Sequence, residues 1–312
     1  MPYQPLVSII TPSFNQGKFL EETIQSVLGQ DYGRVEYILI DGASTDNSLD
    51  IIRKYSDRLS YWVSEPDQGQ AQAINKGLKQ AKGNILGWLN SDDVLLPGTI
   101  RRSVEILQAH PEVDVIYGRL ERMDDLGKPV PTPILPKDRV EFNLGNMLEE
   151  CTVNQAGAFW RREIMEKVGL LNESLCYVMD YEYWIRIAIA GGRFKRLPET
   201  TARFRLSKDS KTVGQALPMA REDMQIIQSI SGQPGLEVRL GLPVGALQRQ
   251  ARRGLAVACL YEANAYLKQK DWGRAAHALI ESAQNHPGVF FERRWADLAM
   301  AKFKRRRWTL KG

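Results

Sequence analysis

Cysteine and histidine are scarce in this chain of 312 residues, with three of each. Cys151, Cys176 and Cys259 form no CxxC pair and no pattern with histidine, which excludes a zinc ribbon and argues against a disulfide framework. His110, His277 and His286 match no catalytic spacing, and His110 and His286 each precede a proline, as helix-end residues do. No run of about 18 apolar residues occurs, so no membrane-spanning helix is expected. No charged segment leads into an apolar core near Met1, so no signal peptide is expected. Gly69, Gly77, Gly83 and Gly87 fit neither a Walker loop nor a dinucleotide fingerprint. These absences point to a cytoplasmic protein.

What the chain does have is enough apolar content, 43%, for a substantial core. Its length allows one large α/β domain, or a medium one with an appendage. The formal net charge of +5 is uneven: Arg293 to Lys311 carries eight Lys or Arg against one Asp. A near-neutral body with a basic tail suits a phosphate-bearing or anionic-membrane partner at the inner face of the membrane, not nucleic acid. In that tail Trp295, Leu298, Ala299, Phe303 and Trp308 interleave with the basic residues. Two readings stay open, an interfacial helix or aromatics packed on the preceding helices.

Short β-branched runs alternate with helical periodicity through the first 90 residues. Leu6–Thr11, Glu36–Ile40, Leu59–Ser64 and the run ending at Asn90 read as strands. Phe19–Gln30, Ser48–Tyr55 and Ala71–Ala81 read as helices between them. This β-α repetition predicts a mainly parallel, Rossmann-like sheet with helices on both faces. A helix over Thr99–His110, a strand over Val113–Gly118, a hairpin within Gly127–Pro136 and two short strands, Phe194–Leu197 and Ala202–Arg205, follow. The expected division is a catalytic domain over 1–218, with halves at about 1–118 and 119–218, and an all-helical extension over 219–312. Leu255–Gln269 and Trp272–Asn285 resemble one tetratricopeptide-like hairpin, or a plain helical extension packed on the catalytic domain.

In parallel sheets of this kind ligands collect beyond the carboxyl ends of the strands. Asn15, Asp41, Glu65, Asp67 and Asn90–Asp93 all fall at such ends. The last group follows Ile85–Leu89 directly. Two adjacent carboxylates at the end of a buried strand call for a cation, and Mg²⁺ or Mn²⁺ suits carboxylate oxygens. The structural alternative is that Asp92 or Asp93 caps the next helix.

Together these segments resemble a family-2 glycosyltransferase of GT-A fold, of the kind found in bacterial polysaccharide biosynthesis. The resemblance covers roughly residues 5–215. It is carried by Val7–Asn15, Ile40–Ser48, Ser64–Gly69, Ala73–Gly77, Leu89–Asp93 and Met179–Trp184, in that order. It implies that Pro12, Asn15, Asp41, Glu65, Asp67, Asn75, Asn90, Ser91, Arg205 and Lys211 bind a nucleotide-sugar. Asp41 would contact the nucleobase, and the donor would be a UDP-sugar in preference to a GDP- or dTDP-sugar. Asp92, with Asp93 as second or alternative ligand, would hold Mn²⁺ or Mg²⁺. Asp180 would be the general base in transfer to a saccharide or polyprenyl-diphosphate-linked acceptor. Asp180 and Asp46 also suit helix capping. Asn90, Met179 and Ser207 stand where the family often has Asp, Glu and His. Arg205, Lys208 and Lys211 would supply positive charge for the diphosphate, or form a solvated loop.

Three other readings compete. A sugar nucleotidyltransferase would need a Gly-rich, basic loop after the first strand, where Pro12–Gln16 stands. A processive synthase would need membrane helices and a Gln-x-x-Arg-Trp motif, but position 291 is Phe. A non-catalytic scaffold derived from a transferase fits the departures at Asn90, Met179 and Ser207.

Overall fold

Seven consecutive buried residues form the first strand, β1 (Val7–Ser13), in this computed structural model, which describes residues 4–131, 142–149, 151–207, 215–240 and 243–291. The strand runs through Pro12 instead of stopping there. Pairing of β1 with β4 (Ile85–Trp88) ends at Ile10, so the later residues are paired only with β2 (Val35–Asp41), and an imino acid leaves no ladder donor missing on the β4 side. Helix α1 (Leu20–Leu28) buries Leu20, Thr23, Ile24 and Val27, one face at helical spacing. Then come α2 (Ser48–Tyr55), β3 (Tyr61–Ser64) and α3 (Gln70–Gln80). Gly77 of α3 lies so close to β1 that a Cβ there would meet the Ile10 side chain at 2.4 Å.

After β4 the chain forms β5 (Val94–Leu95), α4 (Thr99–Ala109), β6 (Val115–Met123), β7 (Pro129–Val130), α5 (Leu144–Glu149), β8 (Phe159–Arg161), α6 (Arg162–Val168), α7 (Met179–Ile189) and β9 (Phe194–Arg205). The sheet order is β3-β2-β1-β4-β8-β6-β9-β5, with β7 on β6. The first four strands are parallel. Strand β8 is antiparallel to β4 and β6, while β6 and β9 are parallel. The sequence reads two short strands in 194–205, but the structure has one. Between the pairs Tyr117–Arg196 and Arg119–Thr200, β6 advances two residues and β9 four, and this bulge accommodates Pro198 without ending the strand. Strand order reverses around β1, flanked by β2 and β4, so the carboxyl ends of these strands border a topological switch point.

Two compact units result, residues 1–206 and 207–312. The boundary expected after 218 would cut α8 (Ala216–Ser231), and a continuous helix is a poor place to divide a chain. The second unit continues with α9 (Leu236–Leu240), α10 (Val244–Lys268) and α11 (Trp272–Asn285). Helix α10 starts at Val244, well ahead of Leu255, and packs on α8 as well as α11. Leu217, Met224, Leu255, Ala258 and Cys259 form its core. Burial pushes the Cys259 thiol up to about 12. Arg221 of α8 pairs with Glu281 of α11 at 2.7 Å, and Asp271 caps α11 by accepting from the Arg274 N–H at 3.1 Å. Among the described residues no helix is long and apolar enough to cross a membrane. Lys208, Lys211 and the basic tail lie outside the described residues.

Candidate active site

The loops after β1 and β2 are laced into one another by short polar side chains. Ser44 Oγ accepts from the Asn15 N–H (2.8 Å), and Asn15 Oδ1 accepts from the Thr45 N–H (2.8 Å). Asp46 accepts from the N–H groups of Gly17 and Ser48 at 2.9 and 3.0 Å. Burial raises the Asp46 pKa, but these hydrogen bonds outweigh it and hold the carboxyl below its ordinary range. The helix itself starts at Ser48 with Asn47 at the N-cap position, so Asp46 ties two loops together as well as meeting the first helical N–H. Asn15 and Ala43 both have left-handed backbones, φ 52° and 62°. Such residues cost about 1–3 kcal/mol and persist where their surroundings fix them.

Asp41, expected at the nucleobase, has no exposed surface. Its carboxylate accepts from the Ser44 N–H (2.9 Å), the Ser44 hydroxyl and the Ser64 hydroxyl (2.7 Å). That fills three of roughly four acceptor positions, so Asp41 anchors the loop. Asp67 accepts from the Gly69 N–H and lies against Gly42, where a Cβ would meet its Oδ2 at 2.7 Å. Glu65 is exposed and pairs with Lys76 at 2.8 Å. Asn15 is exposed at the rim, and Pro12 is buried in β1.

Three residues expected to bind donor or metal are committed elsewhere. Asn75 is 1% exposed, and its amide bonds the backbone of Leu171 in both directions (2.9 Å each) and Glu173 (2.8 Å). It fastens α3 to the 171–173 segment. Arg205 is also 1% exposed and uses its guanidinium on Asp92 O, Asp124 O and Glu22. It is therefore not available to a diphosphate. Asp93 is fully buried, with Oδ1 accepting from the Arg205 N–H at 3.1 Å. A metal cannot reach it without breaking that packing.

Asp92 remains, half-buried, as the outward-facing carboxylate of the pair. Burial raises its pKa, with the Arg205 charge opposing. Asp93 is raised well above the carboxylate range by burial and then by the charge of Asp92. Of the two, only Asp92 keeps surface at which a divalent cation would offset the charge. Among the described residues no cluster of three or more His, Cys, Asp or Glu is poised for a metal. A single carboxylate fits a divalent cation whose other ligands are water and substrate phosphates, and not an all-protein cage.

The loop around Asp92 is set from two sides. Thr23 and Ser26 of α1, and Gln30 just past its end, bond the backbone of Asp93, Leu95 and Leu96 at 2.7–3.1 Å. Asn90 is held at both ends: Gln70 donates to its Oδ1 at 2.8 Å, and its Nδ2 donates to Gln155 at 3.2 Å. Gln155 in turn donates to the Trp88 carbonyl at 2.8 Å. Ser91 is 5% exposed. Sequence reading missed Gln70 and Gln155, which carry no signal beyond their place in the Gln68–Gln72 and Asn154–Gly157 segments.

Asp180 lies in the first turn of α7, partly exposed, and its Oδ1 accepts from the Tyr181 N–H at 2.8 Å. One turn on, Trp184 stacks on Trp88, the last residue of β4. Trp160 and Tyr183 complete this aromatic cluster. Two residues on from Asp180, Glu182 is taken by Arg186 in a two-pronged pair, each bond 2.8 Å. The helix carrying Asp180 is thus fastened to the strand that delivers Asp92.

Comparison with known proteins bears on the family and the fold. The family described as Glycosyl transferase family 2 matches residues 8–169. An uncharacterized glycosyltransferase of Rickettsia felis is 30% identical over 219 residues, covering 68% of this chain and 36% of that protein. One of Mycobacterium tuberculosis is 32% identical over 196 residues, 61% of this chain and 71% of that one. The chain thus spans about a third of the Rickettsia relative's length. Staphylococcus aureus TarS 1–349, crystallised with UDP-GlcNAc, aligns with TM-score 0.59 at 17% identity, over 89% of this chain and 92% of that one. The mannosyltransferase PcManGT of Pyrobaculum calidifontis, in complex with GDP-Man and Mn²⁺, aligns with TM-score 0.62 at 21% identity, over 99% and 89%. With a matched family domain over more than half its length and the GT-A sheet on which that domain is built, the chain belongs to glycosyltransferase family 2.

Proposed function

We propose that this protein is an inverting glycosyltransferase that moves a sugar from a nucleoside-diphosphate sugar to a hydroxyl of a saccharide or polyprenyl-diphosphate-linked acceptor, in cell-surface polysaccharide assembly. The observation that carries the reading is the fastening of two carboxylates of different surroundings to one strand end. Asp92 follows β4, and Asp180 opens the helix stacked on β4 through Trp184 and Trp88.

Asp180 takes the proton of the acceptor hydroxyl as its oxygen attacks the anomeric carbon. The bond from that carbon to the diphosphate oxygen breaks, and the nucleoside diphosphate leaves. Attack opposite the leaving group inverts the anomeric centre. The helix N-terminus favours the ionised form of Asp180, as a base requires. Asp92, with the donor phosphates, would hold Mn²⁺ or Mg²⁺, which when bound offsets the negative charge of the departing diphosphate. The loops of Asn15 and Ser44 frame the nucleotide, with Asp41 fixing their shape. A UDP-sugar is the favoured donor; TarS was crystallised with UDP-GlcNAc and PcManGT with GDP-Man. The basic tail would bring the enzyme to the inner membrane face, where a lipid-linked acceptor resides.

The test is release of nucleoside diphosphate from UDP-, GDP- and dTDP-sugars with Mn²⁺, first without and then with a lipid-linked acceptor. Release from one class of donor supports the reading. A chain that binds no nucleotide-sugar and releases nothing is the scaffold alternative.

A further inference from the structure

Arg205 closes β9, and its polar groups grip three places: the Asp92–Asp93 loop, the β6–β7 turn and α1. Its main-chain N–H donates to Asp93 Oδ1 (3.1 Å), and Nε donates to the Asp92 carbonyl oxygen (2.9 Å). One terminal nitrogen donates to the Asp124 carbonyl oxygen in the β6–β7 turn (2.9 Å). The other pairs with Glu22 in the first turn of α1, and the guanidinium lies over the Phe19 ring, 4.5 Å from its centroid. The side chain is 1% exposed, whereas Glu22 is half exposed.

We propose that Arg205 is a positioning residue for the carboxylate that holds the divalent cation. The inference rests on the reading of Asp92 given above. Three features carry it. The Nε bond fixes the carbonyl of Asp92 itself, and so the peptide from which its carboxylate projects. The main-chain N–H keeps Asp93 turned inward, which leaves Asp92 as the outward member of the pair. The planar fork reaches acceptors on three elements at once, which an ammonium point charge cannot reproduce. Near-ideal geometry matters for ions such as Mg²⁺, so slack in this loop is felt first in metal-dependent binding.

Calorimetric titration of UDP with and without Mn²⁺ tests this, on the full chain. Arg205→Lys should weaken the Mn²⁺-dependent affinity at least tenfold and the metal-free affinity less than twofold. Glu22→Gln, which removes the counter-charge at a half-exposed position, should weaken the Mn²⁺-dependent affinity about threefold with an unchanged near-UV circular dichroism spectrum. A general loss of packing would instead lower both affinities together, and that result overturns the proposal. Wild-type Mn²⁺ dependence in both variants also overturns it. Should Arg205→Lys not fold, Glu22→Gln decides alone by the same criterion. A wild-type chain whose UDP affinity ignores Mn²⁺ overturns the parent reading of Asp92, and this inference with it.

Discussion

The indole rings of Trp88 and Trp184 lie 5.7 Å apart and within 2° of parallel. Trp88 ends the strand that precedes Asp92, and Trp184 lies one helical turn beyond Asp180. This stack therefore couples the packing of the core to the placement of two chemically distinct carboxylates. Trp184 is fully buried, and removing so large a side chain leaves a cavity that typically costs about 3–5 kcal/mol. Trp184→Ala should lose about that much stability in urea unfolding. Any protein that remains folded should lose turnover more than donor affinity, because Asp180 is what shifts.

Asp180→Asn keeps the shape of the side chain but cannot take the acceptor proton. Turnover should fall by about 10²–10⁴ while donor affinity stays within twofold. Steady-state kinetics with a verified acceptor, paired with calorimetry of donor binding, checks this. Wild-type turnover in the variant removes Asp180 from the mechanism.

Asp92→Ala should abolish the Mn²⁺-dependent part of nucleoside diphosphate binding. The pH dependence in the wild type has a definite sign. Asp92 and Asp93 both have raised pKa values, chiefly through burial, so the folded state binds more protons than the unfolded chain above the ordinary carboxylate range. Their contribution to stability therefore falls as pH rises through that window. A divalent cation favours the ionised form and reverses the trend. Thermal shift by Mn²⁺ plus UDP should grow as pH rises from about 5 to 7. A shift of equal size across this range counts against the assignment.

Asn75→Ala should behave as a structural variant. The amide leaves behind a buried Leu171 N–H without its partner, which costs about 1–3 kcal/mol. Denaturant unfolding should show that loss, and donor affinity of the folded fraction should be unchanged. A selective loss of donor affinity at unchanged stability restores Asn75 to the binding site.

Much of the first unit is legible in the sequence because its signals are local. Alternation of β-branched runs with helical periodicity marks β1 to β4 and α1 to α3, and polar residues at strand ends mark the site edge. The Arg119–Phe159 region is harder to read, because its packing depends on partners distant in the chain: Glu121 finds Arg203, 82 residues away, and Gln155 finds Asn90, 65 away. Where Pro198 predicts a break, a bulge opposite Gly118 absorbs it.

By itself the sequence determined the β-α order, the strand-end position of Asn15, Asp41 and Asn90–Asp93, and the family to which the chain belongs. Only the tertiary structure decided which polar residues face outward. Asp92 and Asp93 are adjacent and chemically identical, yet one is half-buried and the other is sealed beneath Arg205. Neighbouring residues at the end of a strand point different ways, and the direction in which each points is set by what packs on it. Composition and spacing hold no record of that. For Asn75 and Arg205 it turned expected ligands into the fastenings of the site.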